Sequence, residues 1–149
     1  MSNTPNSTIS PQNAVLAAVD LTTISACTSR GPTASAGMTA GAINGVIAIT
    51  TPSADTKISK VAIKGNSTGI TTPNVATIIG IWVLDTVLAK GVLRKEIAVT
   101  AVTPNSTTTI SAENETLYDD FVVPAGASVW ITSTVANPLV NVSLHGASM

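Results

Sequence analysis

The 149-residue chain is 44% hydrophobic but only 10% charged, with a formal net charge of −1, against roughly 25% charged residues in an average globular chain. That length fits one domain with a substantial core, and the lack of a basic excess argues against a nucleic-acid partner. A surface of Ser, Thr, Asn, Ala and Gly with few charges is weakly protected against association, so a component of an assembly is expected rather than a freely diffusing protein.

The start, MSNTPNSTISPQ, has no positive n-region and no apolar h-region, and no later segment approaches roughly 18 uninterrupted apolar residues, so neither a secretion signal nor a membrane span is expected. Residues 1–12 read as an arm, because one isoleucine among Ser, Thr, Asn and Pro cannot offset the entropy of ordering unless the segment lies on something. AVLAAVDL (14–21) fits helix or strand equally well. Cys27 is the single cysteine, which excludes an internal disulfide. SRGPTASAGMTAG (29–41) is small and turn-prone. The expected division is an N-terminal arm and loop segment over 1–40 and a β-sandwich domain over 41–149.

From Ile43 onward short β-branched runs alternate with Gly, Pro and Asn, the spacing of an antiparallel sandwich or barrel. Seven strands are expected: VIAIT (46–50), ISKVAIK (58–64), ATIIGIWVL (76–84), LRKEIAVTAV (93–102), TLYDDFVV (116–123), SVWITSTV (128–135) and LVNVSLHG (139–146). Ile97 and Val99 share one face, as do Val140, Val142 and Leu144, opposite Asn141, Ser143 and His145. ATIIGIWVL is apolar on both faces, which points to a central strand or to one covered on its second side by the N-terminal segment or by a neighbour, with Trp82 in the core. Pro-Asn corners are expected at 73–74 and 104–105.

FVVPAGASVWIT (121–132) places a Pro-Ala-Gly corner between two apolar runs, read as a hairpin-like connection. Val129 and Ile131 then face the core and Trp130 faces outward, where another subunit or the arm is expected to cover it.

Residues that could carry chemistry are few. His145 is the only histidine and stands near no serine motif, so an exposed or interfacial strand residue is expected. One His and one Cys do not make a structural zinc set. Glu113, Glu115, Asp119 and Asp120 form the densest acidic patch, read as a solvated loop-to-strand edge rather than a catalytic pair or a calcium site. Gly37 to Gly45 lacks the lysine and the strand-to-helix context of a phosphate loop. Aromatic residues are 3% of the chain, namely Trp82, Tyr118, Phe121 and Trp130, a poor basis for a carbohydrate-stacking face. No catalytic, cofactor or metal site is expected, and Trp130, His145 and Trp82 are the candidate subunit-interface residues.

The series KISKVAIKGNSTG, VATIIGIWVLD, LRKEIAVTAVTPNSTT and FVVPAGASVWITSTVANPLVNVSLHGASM, spanning residues 57–149, resembles small β-sandwich virion proteins of tailed bacteriophages. The chain departs from that pattern at Ile79 to Trp82, where a polar, arginine-containing run is usual, and in its HGASM ending. The resemblance implies an all-β fold: a single antiparallel β-sandwich, jelly-roll-like, of about seven to eight strands with an extended N-terminal arm. It also implies a non-enzymatic structural role in the virion, most simply as a head decoration or cement protein at capsomer junctions on the capsid surface, made in the host cytoplasm. The implied partners are copies of itself, with a trimer favoured, and the major capsid protein or other virion proteins, without nucleic acid, membrane or cofactor. The alternative is a tail- or fibre-associated or carbohydrate-binding β-sandwich module.

Overall fold

The β-branched runs fold as strands, and no helix forms among the described residues. A computed structural model describes residues 14–27, 45–50, 52–65, 73–85, 90–103 and 114–149. It contains β1 (Ala14–Asp20), β2 (Gly45–Ile49), β3 (Thr56–Gly65), β4 (Thr77–Asp85), β5 (Lys90–Val99), β6 (Asn114–Val123), β7 (Ser128–Ser133) and β8 (Val140–Ser148). The seven expected strands are β2 to β8, with ends shifted by a few residues.

Two four-stranded sheets result, β1-β8-β3-β6 and β2-β7-β4-β5. The pairing is nested: β1 with β8, β2 with β7, β3 with β6 and β4 with β5, all antiparallel. β3–β8 and β4–β7 pairs complete the sheets. One antiparallel ribbon folded over on itself in this way is a jelly roll. β4 is a central strand with Ile79, Ile81 and Val83 in the core and Trp82 and Leu84 buried on its outer face, so both of its faces are apolar.

The sandwich begins earlier than residue 41. β1 pairs along β8, and Leu21, Ile24 and Cys27 are buried, so residues 14–27 belong to the domain. AVLAAVDL lacks charge on either face until Asp20, which is why its pattern alone did not choose a conformation. Most of the expected arm, residues 1–13, lies outside the described residues, as do 28–44.

The Pro-Ala-Gly corner is a turn but not a hairpin. The Ala127 N–H donates to the Pro124 carbonyl at 3.0 Å, and Gly126 has φ 80°, a left-handed value that glycine adopts without strain. β6 pairs with β3, however, while β7 lies between β2 and β4, so the corner carries the chain from one sheet to the other. Val123 and Ala127 are both buried where it crosses. A four-residue turn fixes the reversal of the chain, and packing decides which sheet receives it.

Between the sheets lies one apolar core. Ile79, Ile81 and Val83 of β4 and Val129 and Ile131 of β7 face Ile58, Val61 and Ile63 of β3 and Val140, Val142 and Leu144 of β8. Burial of each such side chain is worth about 1.5–3 kcal/mol against its exposed state. At one end the core meets a polar seam. The Ser133 hydroxyl donates to the Val135 carbonyl at 2.7 Å, so Thr77, 2.8 Å away, donates its proton to Ser133. Buried Asn74, from the expected Pro-Asn corner, spans two segments: its Nδ2 donates to the Thr100 carbonyl at 2.9 Å and its Oδ1 accepts from the Val102 N–H at 2.8 Å. The Pro-Asn corner at 104–105 is outside the described residues.

Candidate interaction site

Trp82 and Trp130 sit directly opposite each other on adjacent strands, on the outer face of the second sheet. Alternation puts them there, because Ile81 and Val83, like Val129 and Ile131, point into the core. With Leu84 they form a second apolar cluster separate from the main core. Each indole leans along the sheet in its own direction. Trp82 Nε1 donates to Thr132 Oγ1 at 3.0 Å, and a Cβ placed on Gly80 would stand 2.7 Å from that nitrogen, so the ring lies over Gly80. Trp130 Nε1 donates to Ser128 Oγ at 3.0 Å, toward the opposite end. Both polar tips are satisfied, as buried tryptophans require.

The rings are 8% and 4% exposed in a single chain. Trp130 is therefore outward-facing, as alternation requires, yet its burial does not depend on a second subunit. Trp82 is buried, but in this outer cluster rather than between the sheets. The row continues to both edges of the sheet: Ile47 of β2 is the register partner of Trp130, and Leu93 of β5 is that of Trp82. An apolar band thus crosses all four strands, covered at its centre and exposed at Ile47 and Leu93.

His145 lies on the outer face of the other sheet, flanked in register by Val15 and Lys60. Its Nε2 is 3.1 Å from Ser143 Oγ, two residues away on β8. A serine and an imidazole at this distance can exchange a proton, but acyl transfer also needs donors aimed at a developing oxyanion. β8 is paired on both sides, so its backbone N–H groups are committed to the ladders. The pair is read as a surface hydrogen bond. Among the described residues no cluster of His, Cys, Asp and Glu could hold a metal ion. Of the acidic patch, Glu113 lies outside the described residues; Glu115, Asp119 and Asp120 fall within β6, an edge strand.

No family model, no curated protein and no solved structure matches the chain.

The three candidate interface residues thus occupy two opposite faces, with Trp82 and Trp130 together and His145 apart. What sequence reasoning missed is at the edges. Among the described residues, the exposed large apolar side chains within strands are Val15, Ile47, Val92, Leu93 and Val122. All five stand on β1, β2, β5 or β6, the four edge strands, and none on a central strand. No common signal marks them in the sequence, since Val15 and Ile47 lie in apolar runs and Val92, Leu93 and Val122 stand near charged residues, and each becomes informative only when its strand is known to be an edge.

Proposed function

We propose that this protein is a structural component of a tailed-bacteriophage particle, a decoration or cement protein that binds at capsomer junctions on the head surface and acts by association rather than catalysis. The observation that carries this reading is the placement of exposed apolar side chains on the edge strands of a charge-poor jelly roll. Edge strands are templates for association, and proteins that work alone keep them polar or covered. The jelly roll is a fold used by viral capsid domains among others, and the resemblance over residues 57–149 points the same way. Copies of the chain, with a trimer favoured, would bridge neighbouring capsomers and add buried area that opposes expansion by packaged DNA. Repetition at equivalent sites makes weak individual contacts sufficient.

A carbohydrate-binding or tail-fibre module would need exposed rings for sugars to stack on, and the burial of Trp82 and Trp130 gives that alternative no support. Deleting the gene from the phage that carries it is expected to leave particles that assemble but release DNA at lower temperature or on milder osmotic shock. Adding back purified protein restores resistance. Deletion particles as resistant as the parent would contradict the role.

A further inference from the structure

We draw no further inference here: the strongest candidate, the apolar outer face of the β2-β7-β4-β5 sheet with Trp82, Leu84 and Trp130 buried at its centre and Ile47 and Leu93 exposed at its edges, carries nothing further, because nothing among the described residues shows what covers it.

Discussion

Replacing Trp130 with alanine is expected to destabilise the isolated protein by about 3–5 kcal/mol, the range for deleting a large aromatic from a packed site. The loss has three physical parts. The apolar area of the ring is returned to water, Leu84 and Trp82 lose their packing partner, and the Ser128 hydroxyl loses its donor. Trp130→Phe keeps most of the packing and removes the N–H, so it should cost about 1 kcal/mol. A double-mutant cycle with Trp82→Ala should return a coupling of about 0.5–1.5 kcal/mol, as expected for neighbouring side chains of one buried cluster. Chemical denaturation of the purified chain measures all of these. A cost below about 1 kcal/mol for Trp130→Ala would mean that the ring is open in the single chain and gains its cover only on assembly.

The second large effect is expected at Gly146, a β8 position that faces the irregular stretch of β3 around Ile58 to Lys60. A Cβ there would overlap the Lys57 carbonyl and crowd the Ile58 backbone. Backbone in a ladder cannot swing aside as a flexible side chain can, so Gly146→Ala should cost about 3 kcal/mol, the upper end for overpacking. For a chain of this size that lowers the melting temperature by about 6–12 °C. Gly126→Ala is the informative comparison. Nothing lies within 4 Å of its added methyl, and the only penalty is the left-handed backbone at φ 80°, about 1 kcal/mol. Thermal melts of the two variants separate steric from conformational need for glycine, and equal shifts would contradict the close approach at Gly146.

Much of the strand content was legible because β-branched residues in short runs, bounded by Pro, Gly and Asn, have few alternatives. The facing of β5 and β8 was legible for the same local reason: Ile97 and Val99, and Val140, Val142 and Leu144, are buried as their alternation requires. β1 was not, since an apolar run without polar alternation carries no period, and only its pairing with β8 gives it a state. The corner at Pro124 reads as a turn, but its crossing between sheets depends on strand order, which no local stretch encodes. The facing of Trp130 away from the core followed from alternation. Its position opposite Trp82 did not, because that register joins strands distant in sequence.

The same limit applies to the candidate site. Three residues stand out in the sequence as unusual: the two tryptophans, Trp82 and Trp130, and the only histidine, His145. The tryptophans close a small outer cluster, and the histidine hydrogen-bonds its neighbour on the opposite face. The edge residues Val15 and Ile47 looked ordinary in the sequence, since valine and isoleucine are expected in any strand. Their significance comes from where the jelly roll places them, on strands with one open side.

The proposed virion role requires the protein to be part of a particle. The most direct test is to purify virus particles from the source in which the gene occurs and measure the amount of this protein against the major capsid protein, with localisation by cryo-electron microscopy. The expected result is a fixed stoichiometric ratio with density for the jelly roll at symmetry-related positions on the head surface. Particles free of the protein, with the chain found only in the lysate, would contradict it.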